Sequence, residues 1–114
     1  MYLLIIILHK EEYLDDVLET LVELGVDEAI TMEVESLGKA LAYKVPIFAG
    51  LRLGIESKPY SRTIFAVTDD PQTGRKLIEM LRKVDIDLEA KGVARILTVK
   101  LESIYGTPEE ITEI

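Results

Sequence analysis

Hydrophobic residues fall along this chain of 114 residues in two kinds of pattern, unbroken runs and spaced stripes. Leu3-Leu4-Ile5-Ile6-Ile7-Leu8 is unbroken and ends at His9-Lys10, which predicts a central strand buried on both faces. Tyr13, Leu14, Val17, Leu18, Leu21 and Val22 then recur at helical spacing. Glu11, Glu12, Asp15, Asp16 and Glu19 fall elsewhere, and Gly25 supplies a stop, so an amphipathic helix follows. From Ala29 to Leu37 apolar and polar positions alternate around Ile30, Met32 and Val34, which predicts a half-buried strand. Thr63-Ile64-Phe65-Ala66-Val67-Thr68 predicts another strand. Asp69-Asp70-Pro71 next offers a carboxylate cap followed by proline at the first helical position. Leu77, Ile78, Leu81 and Val84 form the buried stripe of that second helix. Asp85 to Gly92 reads as a connection. Ala94 to Leu101 reads as a last strand, with Leu97, Val99 and Leu101 facing one way and Ala94, Ile96 and Thr98 the other. Thr107-Pro108-Glu109-Glu110 has the form of a capping box, which predicts a short terminal helix.

The order βαββαβ predicts an α+β, ferredoxin-like sandwich: a four-stranded antiparallel sheet with two helices on one face. No linker divides the chain, so residues 1–114 read as a single domain with a long inter-strand segment at 37–62 and a short tail at 107–114. Such a sheet leaves one face open, yet Leu3 to Leu8 and Ile64 to Val67 are apolar at every position. Whichever alternate residues meet the helices, the others are hydrophobic too. Three aliphatic side chains left in water forgo roughly 1.5 to 3 kcal/mol each, a large share of a small domain's stability. Self-association is the expected remedy; the alternative is that segment 37–62 folds back over the sheet within one monomer.

Charge changes the picture at that segment. The chain carries a formal net charge of -8, but residues 37–62 hold Lys39, Lys44, Arg52, Lys58 and Arg62 against Glu56 alone. A +4 stretch in an acidic protein points to one patch with its own partner. Tyr43-Lys44-Val45-Pro46-Ile47-Phe48-Ala49-Gly50-Leu51 is too apolar for a solvated loop, and Pro46 can begin a short helix. Basic residues interleaved with Tyr43, Phe48 and Tyr60 suit an anionic ligand with a flat ring. Two other uses stay open: balancing carboxylates on neighbouring subunits, or meeting an acidic or membrane-associated partner. The excess of negative charge disfavours a nucleic-acid polymer. The first apolar run is too short for a membrane span and lacks the flanks of a signal peptide, and with no cysteines a cytoplasmic location is expected.

The element order, the strand end Thr31-Met32-Glu33-Val34-Glu35-Ser36-Leu37-Gly38 and the Asp69-Asp70 helix opening together resemble the PII signal-transduction superfamily over residues 1 to 103. The resemblance implies a homotrimer of ferredoxin-like sheets that projects a long loop between its second and third strands. It also implies that small ligands, usually adenine nucleotides, bind in clefts between subunits. The loop base would be Gly38 and Lys39, and the connection before the last strand Lys91-Gly92. The chain departs from the family where a glycine-rich phosphate loop and following arginines belong: it has Asp85-Ile86-Asp87-Leu88-Glu89-Ala90-Lys91-Gly92 and then Leu101-Glu102-Ser103. Three carboxylates there repel a triphosphate.

Catalytic constellations are scarce. His9 is the only histidine and reads as a surface or capping residue. Without cysteine, Cys-His pairs and single-chain histidine metal clusters do not arise. The seven glycines fit neither a Walker loop nor a dinucleotide fingerprint, and no cofactor is indicated. The expectation is a PII-like trimeric regulator rather than an enzyme. It binds a small anionic ligand through Gly38, Lys39, Lys44, Arg52, Arg62, Lys91 and Gly92, and a target protein reads the 37–62 segment. The alternatives are a CutA-like trimer handling a divalent metal, or a small metal-dependent enzyme; both would use Asp85, Asp87 and Glu89.

Overall fold

A computed structural model describes residues 1–35, 37 and 60–108. Its elements run β1 (Tyr2–Leu8), a single 3-10 turn (Glu11–Tyr13), α1 (Leu14–Glu23), β2 (Glu28–Glu35), β3 (Tyr60–Thr68), α2 (Thr73–Arg82) and β4 (Ala94–Lys100). The four strands form one sheet in the order β2-β3-β1-β4, antiparallel at every pairing. The expected ferredoxin-like α+β arrangement is the one observed.

Register fixes what each face carries. Ile6 lies between Ile64 and Ile96, Leu8 between Arg62 and Ala94, and Leu4 between Ala66 and Thr98. Because side chains alternate across a strand, these rows share the face that meets the helices. Leu4, Ile6, Leu8, Ile64 and Ala66 are fully buried there. Against them α1 packs Val17 and Leu21, and α2 packs Leu77 and Leu81, while Val26, Ile86, Leu88 and Val93 close the core from the connections.

Both helices end in the same device. After α1 the amide of Val26 donates to the Leu21 carbonyl and that of Gly25 to Val22, with Gly25 at φ +85°. After α2, Ile86 donates to Leu81 and Asp85 to Arg82, with Asp85 at φ +63°. Each is a Schellman ending, and its apolar partners, Val26 with Leu21 and Ile86 with Leu81, are buried. The second ending places an aspartate where the left-handed conformation favours glycine.

Three boundaries differ from the sequence expectation for local reasons. Helix α2 starts at Thr73, not at Pro71, because Pro71 and Gln72 form a turn. In that turn Asp70 Oδ1 accepts the Gln72 amide at 2.8 Å, and the Thr73 hydroxyl donates to the Asp70 carbonyl at 2.9 Å. Val84 does not join the buried stripe: the helix has ended at Arg82, and Val84 is exposed. Strand β2 is not half-buried as its alternation suggests. The helices do not extend over it, and Ala29, Thr31 and Glu33 on the helix side are exposed along with Ile30 and Met32. Thr107 and Pro108 are exposed and outside any helix; the rest of the expected terminal helix lies outside the described residues.

Candidate functional site

The open face is read directly from the alternate rows. Val34 sits opposite Ser61; Met32, Thr63, Ile7 and Arg95 form the next row; Ile30, Phe65, Ile5 and Leu97 the next; and Glu28, Val67, Leu3 and Val99 the last. Ten of these fourteen side chains are apolar. On the outer strands they meet water, with Ile30 62%, Met32 44%, Leu97 40% and Val99 45% exposed. An apolar patch spread across a whole sheet face is the kind of surface that marks an interaction site.

Within that face lies a depression of about 470 Å³, lined by Ile5, Ile7, His9, Val34, Ser61, Thr63, Phe65 and Arg95. It occupies the end of the sheet where β2 leaves and β3 begins. Its floor is aliphatic and aromatic, and polar groups gather at its end. His9 Nδ1 lies 2.9 Å from Ser61 Oγ, with the ring half-buried, and the His9 amide continues the ladder to Val93 at 2.8 Å. His9, expected as a surface or capping residue, is half-buried and engaged at the sheet end.

The expected ligand residues divide into two groups. Gly38, Lys39, Lys44 and Arg52 lie outside the described residues. Arg62, Lys91 and Gly92 are described, and the topology brings them to one end of the sheet: Arg62 pairs with Leu8, the last residue of β1, and Lys91-Gly92 lead into Val93 and β4. Segment 37–62 starts and finishes at this same end, since Glu35 pairs with Tyr60. Lys91 and Gly92 are exposed, and Gly92 adopts φ +78° with open space where a Cβ would stand. By register Arg62 is on the helix side, where its Nε lies 3.8 Å from Glu11 Oε1. It is therefore partly neutralised within the chain.

The three carboxylates before β4 do not converge. Arg82 reaches Glu89 at 2.7 Å and Asp87 at 3.4 Å, and Asp87 Oδ1 also accepts the Glu89 amide at 3.0 Å. Asp85 serves as the left-handed residue of the helix ending. Among the described residues no three acidic or histidine side chains are placed to hold a metal ion. Elsewhere Asp70 is held below the ordinary aspartate range, first by its hydrogen bond from Lys76 Nζ at 2.6 Å and then by the Gln72 amide.

Sequence reasoning missed Ser61 and Arg95. Arg95 was legible in principle, because it shares the parity of Leu97 and Val99 in β4. Ser61 was not, because the segment boundary hid that β3 begins at Tyr60. No helix among the described residues is long and apolar enough to cross a membrane. No protein-family model and no curated protein sequence matches the chain.

Proposed function

We propose that the protein is a PII-like regulatory protein that assembles as a homotrimer through its open sheet faces. It binds a small anionic ligand in the clefts between copies and signals through segment 37–62 to a target protein. The observation that carries this reading is the convergence at one sheet end of both ends of the cationic segment, Arg62 and the Lys91-Gly92 turn. A ligand seated there touches the segment and its base together. It biases the segment only by binding one conformer better than another.

The apolar outer strands support the assembly, since covering Ile30, Met32, Leu97 and Val99 recovers hydrophobic free energy that a lone chain forgoes. The pairing of Asp87 and Glu89 with Arg82 also bears on the ligand. It lowers the negative potential before β4 and leaves Lys91 as a cation beside a glycine turn. A mononucleotide or cyclic dinucleotide suits this arrangement better than a free triphosphate.

Calorimetry on the intact protein tests the proposal. Heat with an adenine nucleotide or a cyclic dinucleotide, reduced by Lys91→Ala and Arg62→Ala, is the expected outcome. No heat with either class removes the ligand role.

A further inference from the structure

The Lys91-Gly92 turn and the root of segment 37–62 lie at one end of the sheet, and a single residue is bonded toward both. His9 follows the last residue of β1. Leu8 pairs with Arg62 on one side and Ala94 on the other, so the next position of this central strand falls between Ser61 and Val93. On the β4 side His9 is joined through its backbone. Its amide donates to the Val93 carbonyl at 2.8 Å, and the Lys10 amide reaches the same oxygen at 3.4 Å. Val93 also closes the turn, because its own amide donates to the Ala90 carbonyl at 3.2 Å across Lys91 and Gly92. On the β3 side His9 is joined through its ring: Nδ1 lies 2.9 Å from Oγ of Ser61, a residue only 1% exposed. Ser61 follows Tyr60, which pairs with Glu35 where the segment returns to the sheet.

We propose that His9 is the positioning residue that couples the Lys91-Gly92 turn to segment 37–62, an inference that rests on the regulatory reading given above. A tilt of the turn displaces the Val93 carbonyl and with it the His9 backbone, and the ring is brought toward Ser61 or drawn away. A buried hydroxyl loses free energy when its partner is withdrawn, so the bond is either made or broken and holds no intermediate position well. It is thus a two-state element of the kind that coupling between sites requires. A ligand that favours one position of the turn then shifts the population of segment conformers. Every contact in this chain of bonds is made within one copy, so covering the open face by neighbouring copies leaves the device in place.

The test perturbs the turn without any ligand. Gly92 sits at φ +78°, where a side chain is strained, so Gly92→Ala displaces the turn. Amide resonances of the full-length protein are compared by NMR with and without this substitution, in the wild type and in the His9→Ala, Ser61→Ala and His9→Asn backgrounds. In the wild type the perturbation is expected to reach Tyr60, Ser61 and the amides of segment 37–59. In His9→Ala and Ser61→Ala it should be lost there, while Lys10 and Val93 still respond. His9→Asn offers a side-chain amide near the position of the imidazole Nδ1 and should restore transmission, which a merely structural histidine would not require. Ser61→Ala leaves the backbone bonds of His9 untouched and decides the matter if His9→Ala fails to fold. A perturbation that reaches the segment equally in Ser61→Ala, or that stops short of it in the wild type, overturns the proposal. Titration of the same samples with AMP and cyclic di-AMP keeps the ligand reading separate: transmission from Gly92→Ala with no nucleotide bound upholds the coupling and removes the ligand role.

Discussion

Asp85 illustrates how a single residue can be structural where its type suggests chemistry. It occupies the left-handed position of the second helix ending, at φ +63°, which costs an L-residue roughly 1–2 kcal/mol and costs glycine little. Asp85→Gly is therefore expected to raise stability by up to about 1 kcal/mol in urea unfolding, and Asp85→Val to lower it. A loss of stability in Asp85→Gly would show that the carboxylate is engaged. Asp70 carries the one pH-dependent prediction. Its folded pKa lies below the unfolded value, so its contribution is present above the ordinary aspartate range and is lost as pH falls through the folded pKa. Asp70→Asn keeps an acceptor for the Gln72 amide but gives up the charge facing Lys76. The stability gap between wild type and Asp70→Asn should shrink as pH is lowered below about 4. A gap independent of pH would contradict the pairing.

Among the elements, α2 packs tightly on the sheet at Gly74. A Cβ on Gly74 would come 3.2 Å from Ile96 Cγ2 and 3.3 Å from Leu4 Cδ1, so the helix lies tight against β1 and β4 at that turn. Gly74→Val is expected to destabilise by about 1–3 kcal/mol through overpacking, read as a lowered urea midpoint with an unchanged m-value. An unchanged midpoint would mean the helix shifts freely on the sheet. The order of the elements and the buried stripes of the two helices were legible in the sequence, but which alternate row of β1 and β3 meets the helices was not, because both rows of Leu3–Leu8 and of Ile64–Val67 are apolar. Boundaries were less legible: Val84 keeps the helical period after the backbone has turned at Asp85, and hydrophobic spacing alone does not register the turn. Likewise Ile30 and Met32 alternate as a half-buried strand should, but nothing local to β2 says that the helices stop short of it. The polar corner of His9, Ser61 and Arg95 joins three strands, and it becomes visible only once register is known.

For the molecule as a whole, the sheet divides two environments. One face holds a closed core of side chains from β1, β3, α1 and α2; the other presents apolar rows whose outer members, Ile30, Met32, Leu97 and Val99, meet water. The proposed assembly, its shared clefts and the regulatory role all follow from covering that second face. Met32→Glu together with Leu97→Glu should therefore convert the assembly to single chains without disturbing the helix side of the sheet, measured by sedimentation and circular dichroism. Retention of the assembly in this variant would place the interface elsewhere. The most direct test is the mass of the wild-type protein by light scattering at about micromolar concentration, where an obligate interface of this apolar kind stays formed. A homotrimer gives three times the 12.8 kDa chain mass; a folded species at 12.8 kDa would contradict the proposed assembly.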